Sequence, residues 1–301
     1  MAGTTTLAVV AVLAIAPVTD AAVRVEVDRL VVQVSAARHI PFRGKLQARA
    51  ITRDAADAQI AAALATRITT VDLAAEEQML KRLGLIAGDA DYAKLWAAGA
   101  SSAAVATYDP ATQRLLVPDF LPLESQRVAL IHEIAHAVAD QRFDLRGFLA
   151  PPPQALDRVR ERAVPPRELG AGGVGPSQGP LSTTLSGDAA RARLALVEGD
   201  ATLTTMEVVD PSGAFLRPTA LASLADRLRT AASEGRAAWL AALTRFVHVD
   251  GMLFVARVRA RQPWSAVDLL WRDPPVSSDF DSGQSPAVIA SHRPCNKRKP
   301  R

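Results

Sequence analysis

ESQRVALIHEIAHAVADQRF, residues 124–143, holds no glycine or proline and carries apolar side chains at Val128, Ile131, Ala135 and Val138. Those intervals of three and four predict a helix of roughly 18 residues. On it His132 and His136 stand four apart, one turn along the same face, where both imidazoles can reach a single Zn2+. Glu133 lies beside the first histidine rather than in line with it, so its carboxylate approaches water at the metal instead of the metal itself. That makes it the expected general base. Ile131, Ile134 and Ala135 predict a buried segment, where incidental, unpartnered imidazoles would be costly.

A catalytic zinc takes three protein ligands and leaves a fourth position for water. A histidine six residues after His136 is one known solution, but Arg142 stands there, and Ala139 stands where that pattern has glycine. The third ligand is therefore sought in RLALVEGDAT, residues 193–202. Glu198 is a carboxylate on an otherwise apolar helical stretch and completes a His2Glu set. Asp200 and Asp144 are alternatives as ligand, and Asp200 could instead orient a ligand imidazole from behind. Gly199 costs about 1 kcal/mol in a helix relative to alanine, which implies close approach of another backbone, such as a second zinc-bearing helix. Asp140 and Gln141 are expected to make polar contacts, either behind the ligands or purely structural. A tetrahedral intermediate needs a donor for its oxyanion, and the candidates are Tyr108, Tyr92 and His248. His248, in FVHVDG at residues 246–251, is the one taken into the catalytic set.

Upstream, residues 103–108 and 114–118 flank the turn-forming Asp109-Pro-Ala-Thr112 and predict a β-hairpin running into the motif helix. VRVEVDRLVVQV, residues 23–34, alternates valine with polar residues and predicts a strand, although its second half also fits a helix. Residues 54–66 and 71–85 predict helices. Leu7 to Ala16, LAVVAVLAIA, has the length of a signal-peptide apolar region and is too short to span a bilayer. Residues 1–22 are accordingly expected to be a signal peptide of an exported protein, periplasmic or extracellular, with no stable membrane span. Residues 23–100 form an N-terminal strand and helical region, and 101–275 the catalytic region.

Downstream, residues 151–187 are rich in proline and glycine and predict a mobile loop. Gly170, Gly172 and Gly175 there satisfy a dinucleotide-binding pattern, but no strand leads in and Pro176 and Pro180 bar a helix from leading out. Helices are expected from Asp188 to about Met206, Leu221 to Leu228, Ala237 to Phe246, Gly251 to Val258 and Trp264 to Trp271. Residues 276–301 lose periodicity and are expected to be a disordered basic tail.

The formal charge of +4 resides in that tail, where Arg293, Lys297, Arg298, Lys299 and Arg301 leave the remainder near neutral. With aromatics at 5% as well, no basic, aromatic face for nucleic acid is expected. The single cysteine, Cys295, excludes an intramolecular disulfide and a cysteine-ligated zinc. Hydrophobic residues at 49% and charged residues at 22% exclude a fibrous or wholly disordered chain.

HEIAHAVADQRFDL at 132–145 and ALVEGDA at 195–201 resemble the gluzincin group of zincins. More narrowly they resemble a family of bacterial exported proteins with HExxHALxDQxFxL and EGDA motifs. The likeness extends to IPFRGKLQARAITRD at 40–54, ATYDPATQRLLV at 106–117, GMLFV at 251–255 and DPPVSS at 273–278. It departs at Val138 and Ala139, where the family usually has Leu and Gln, and residues 279–301 match nothing of it. The resemblance implies an α+β, zincin-like fold, mostly helical with a small sheet or hairpin edge beside the motif helix. It implies a peptide or protein substrate hydrolysed at Zn2+ held by His132, His136 and Glu198. The segment from Ala103 to Tyr108 would lie near an edge strand to which an extended peptide adds. The rival expectation is a non-catalytic exported binding or scaffold protein that keeps the same fold.

Overall fold

The computed structural model describes residues 17–59, 106–149, 188–214, 216–233 and 246–281, with isolated positions between 77 and 94. The first element corrects the sequence reading. Asp20–Arg38 is a helix, α1, where alternating valines predicted a strand. The same residues satisfy a second period: Val23, Val27, Leu30 and Val34 are fully buried at intervals of four, three and four, while Val25 stands 72% exposed. Packing on a neighbouring helix chose that period over the alternation. Thr19 caps the N-terminus, its Oγ1 accepting from the Ala22 N–H at 3.2 Å. At the other end His39 adopts φ 60°, and the Ile40 N–H reaches back to the Ser35 carbonyl.

Three strands form one sheet in the order β1-β3-β2: β1 is Gln47–Ile51, β2 Thr107–Asp109 and β3 Arg114–Pro118. β2 and β3 are the expected hairpin, pairing antiparallel with Tyr108 opposite Leu115. The Asp109 carboxylate holds the turn, accepting from the Ala111 N–H at 2.9 Å and the Thr112 hydroxyl at 2.7 Å. β1 was not expected; it pairs parallel to β3, Gln47 opposite Arg114. The Asp20 carboxylate ties it to α1 by accepting from the Ala50 N–H at 2.7 Å.

The motif helix, α2, runs Leu123–Phe143. Leu130, Ile131, Ile134, Ala137 and Val138 are buried on more than one face, so α2 is a central helix rather than a surface one. Val128 is not part of that core as expected: it is 58% exposed. The short helix α3, Leu145–Leu149, follows directly. Then come α4 Asp188–Val209, α5 Pro218–Ser233, a π-helical turn Phe246–Asp250, α6 Gly251–Arg259, α7 Trp264–Leu270 and α8 Ser277–Asp281. α8 corrects the expectation of disorder from residue 276. Its Phe280 is buried against Phe246 and Phe254, and the Phe280 carbonyl accepts from the Arg257 guanidinium at 2.6 Å.

The described architecture is thus α+β, mostly helical with a small three-stranded sheet. α1, α2, α4 and α6 share one hydrophobic core. No described helix is long and apolar enough to cross a membrane. The apolar run Leu7–Ala16, the loop 151–187 with its glycine pattern, the helix expected from Ala237 and the tail beyond 281 lie outside the described residues, as does most of the helix expected at 71–85. Residues 19–22, the end of the expected signal peptide, form the cap and first turn of α1.

Candidate metal centre

Three elements converge on one point. α2 delivers His132 and His136, α4 delivers Glu198, and the π-helical turn delivers His248. His132 Nε2 stands 3.1 Å from His136 Nε2 and 3.1 Å from Glu198 Oε2, and His136 Nε2 stands 3.5 Å from the same oxygen. His248 Nδ1 lies 3.4 Å from Glu198 Oε2.

These separations test whether the residues fit a metal. Zinc bonds of about 2.0–2.1 Å directed to the corners of a tetrahedron place neighbouring donor atoms roughly 3.3 Å apart. Two imidazole nitrogens and one carboxylate oxygen at 3.1 to 3.5 Å match that triangle in both spacing and donor type. Glu133 also offers a carboxylate oxygen within 4.8 Å of the two imidazoles. Its Oε2, however, accepts from the Tyr108 backbone N–H at 2.7 Å, whereas Glu198 Oε2 touches both histidines. Of the two carboxylates, Glu198 is therefore the one whose oxygen fits the triangle.

Charge at the centre is strongly coupled. Burial works against ionisation of Glu198, but the charges and hydrogen bonds of His136 and His132 outweigh it and hold the carboxyl well below its ordinary range. Burial alone would lower His136; the Glu198 carboxylate, helped by Glu133 and Asp200, raises it to about 9 instead. His248, half exposed at the rim, is lowered by burial, with Glu198 pulling the other way and the two imidazoles adding to the lowering.

Tyr108 joins the sheet to the motif helix twice. Its backbone N–H holds Glu133, and its hydroxyl donates to Asp140 Oδ2 at 2.6 Å. Burial and the Asp140 carboxylate push the phenol well above its ordinary pKa, and because its proton is already given to Asp140 it is not a free oxyanion donor. Tyr92 is buried with its backbone N–H on Glu77, and of the three donor candidates the structure brings His248 to the centre.

The remaining polar candidates take structural places. Asp140 also accepts from the Leu145 N–H at 2.8 Å, fixing the exit of α2. Gln141 exchanges two hydrogen bonds with the Arg43 backbone. Asp144 is the left-handed cap of α2, its side chain on the Gly147 N–H. The Asp200 carboxylate is held away from the triangle: Arg38 grips it with Nε at 2.7 Å and Nη2 at 2.9 Å, and Trp271 Nε1 donates to it at 3.0 Å.

Sequence reasoning missed Arg38 entirely. It is 1% exposed, also donates to Asp268 at 2.7 Å, and stacks 4.2 Å from the Trp264 ring. A signal was present, since Arg38 extends the buried spacing of α1 from Val34 by four residues. Gly199 does mark a close approach, but of a different backbone from the one expected. A Cβ there would stand 2.3 Å from the Gly251 carbonyl oxygen at the start of α6, not against α2. That contact brings His248, three residues before Gly251, alongside Glu198.

No protein-family model, curated protein or solved structure matches the chain.

Proposed function

We propose that this protein is a zinc-dependent peptidase of zincin type. The observation that carries the reading is the triangle of His132 Nε2, His136 Nε2 and Glu198 Oε2 at tetrahedral spacing, with the carboxylate of Glu133 beside it. His132, His136 and Glu198 would hold the ion. Bound there, zinc supplies a Lewis acid that polarises a carbonyl and acidifies water.

Glu133 takes the proton from water and passes it to the leaving amine. The Tyr108 N–H fixes Glu133 Oε2, so one carboxylate oxygen is anchored to the strand edge while the other is left for the proton. β2 lies at the edge of the sheet, where an extended peptide can add by main-chain hydrogen bonds. His248, at the rim, is the group available to donate to an oxyanion. The leader-like apolar run adds the proposal that the protein is exported.

Elemental analysis of purified protein beside His136→Ala and Glu198→Ala tests the metal, and Glu133→Gln tests the chemistry. We expect near one zinc per chain, lost in the first two variants and kept in the third. Peptide hydrolysis in Glu133→Gln should fall by more than about a hundredfold. Full activity of that variant would refute the assignment of the base.

A further inference from the structure

Zinc in a purely structural site is closed by four protein ligands, and in a catalytic site it keeps one position open. His248 bears on that distinction. Its Nδ1 is 3.4 Å from Glu198 Oε2, the length of one tetrahedral edge from that oxygen. A group that donated to an oxygen in the fourth position would itself stand beyond that position, about 2.7–3.1 Å outside it.

The backbone explains why this nitrogen and not the outer one faces inward. Gly199 and Gly251 press α4 and α6 together until no Cβ fits at either, and His248 lies three residues before Gly251 as Glu198 lies one before Gly199. At so short a span Nδ1, the ring nitrogen nearer the main chain, meets the centre. His248 also sits inside the π-helical turn Phe246–Asp250, the one such turn among the described residues, and such turns are frequent at functional sites. Its side chain is 49% exposed, against 11% for His136, so the ring has solvent to move into.

The geometry points to His248 Nδ1 as a fourth, exchangeable ligand of the zinc: the resting centre is closed by three imidazoles and one carboxylate, and the ring swings outward when substrate enters. The inference rests on the proposed zinc site and states how that site is kept latent. It gives one side chain two places, over the metal at rest and at the oxyanion during turnover.

X-ray absorption at the zinc edge counts imidazole ligands directly and needs no activity. For zinc-loaded wild type without substrate we expect three imidazoles, and for His248→Ala two. Zinc affinity, measured by competition with a chromogenic chelator, should weaken in that variant by more than about tenfold. Two imidazoles in wild type would overturn the inference while leaving the three-ligand site standing. A wild type that binds no zinc, or whose zinc survives His136→Ala, would remove both.

Discussion

At Gly199 a methyl group has nowhere to go. The nearest atoms to a Cβ there are the carbonyl oxygen and carbon of Gly251, and a Cβ on Gly251 would stand 2.1 Å from the Ala195 carbonyl oxygen. Backbone cannot rotate aside as a side chain can, so relief requires the helices to separate. Gly199→Ala is expected to destabilise by about 1–3 kcal/mol, seen as a lower urea midpoint at unchanged slope, and to weaken zinc binding. An unchanged midpoint would show that the contact has more room than the structure gives it. His136 adds a pH signature to the metal-free protein. Its pKa is about 9 folded against roughly 6.5 unfolded, so its contribution is complete below pH ~6.5 and disappears as pH rises through 9. Thermal scans of chelator-treated protein should therefore lose stability across that window, and zinc-loaded protein should not, because the cation takes the place of the proton. A parallel loss in both forms would mean the proton and the metal do not compete for this ring.

Among elements, α1 shows most clearly what a sequence reveals and what it hides. His132, Glu133 and His136 were legible because their relation is local: four residues on a helix fix a face without any tertiary information. Glu198 was legible as an isolated carboxylate on an apolar stretch, and the β2–β3 hairpin from its turn residues. Whether 23–34 was strand or helix was not local, since valines at 23, 25 and 27 serve period 2 while Val23, Val27, Leu30 and Val34 serve period 3.6. The partner settled it, and the partner lies elsewhere in the chain. The same holds for Gly199, whose spacing announced a neighbour without naming α6.

Arg38 then makes α1 a strut of the centre. It joins α1 to Asp200 on α4 and Asp268 on α7, within a wall of Phe143, Trp264 and Trp271. Burial alone would lower the guanidinium pKa, and the two aspartates more than offset it. Removing one partner leaves an uncompensated buried charge: Arg38→Met should cost about 3–5 kcal/mol. Asp200→Asn should do comparable harm. The double variant Arg38→Met with Asp200→Asn is expected to lose less than the two single losses added together, and strict additivity in a double-mutant cycle would deny the pairing.

Over the whole molecule, α8 closes the fold from its far end. Phe280 buries its ring against Phe246 of the His248 turn and Phe254 of α6, so Phe280→Ala is expected to cost about 3–5 kcal/mol and to loosen the turn that carries His248. The measurement is a denaturant curve paired with zinc titration, and a fall in stability with no change in zinc affinity would separate α8 from the centre. Zinc itself should stabilise the folded chain by about 4 kcal/mol at a thousandfold excess over its dissociation constant. A chelator should lower the Tm accordingly; a Tm indifferent to zinc would argue that no preformed site exists.

The buried guanidinium also sets an order of assembly. Arg38 is synthesised early, yet its two acceptors follow 162 and 230 residues later. Contacts so distant along the chain close slowly, because the intervening loop must be restrained before they return any stabilisation. During vectorial synthesis the motif helix and Glu198 are both present before Asp268 emerges, so the residues of the triangle are complete before those of the charge pairing behind it. A nascent chain halted short of α7 would carry His132, His136 and Glu198 in a scaffold whose charged strut is still half made.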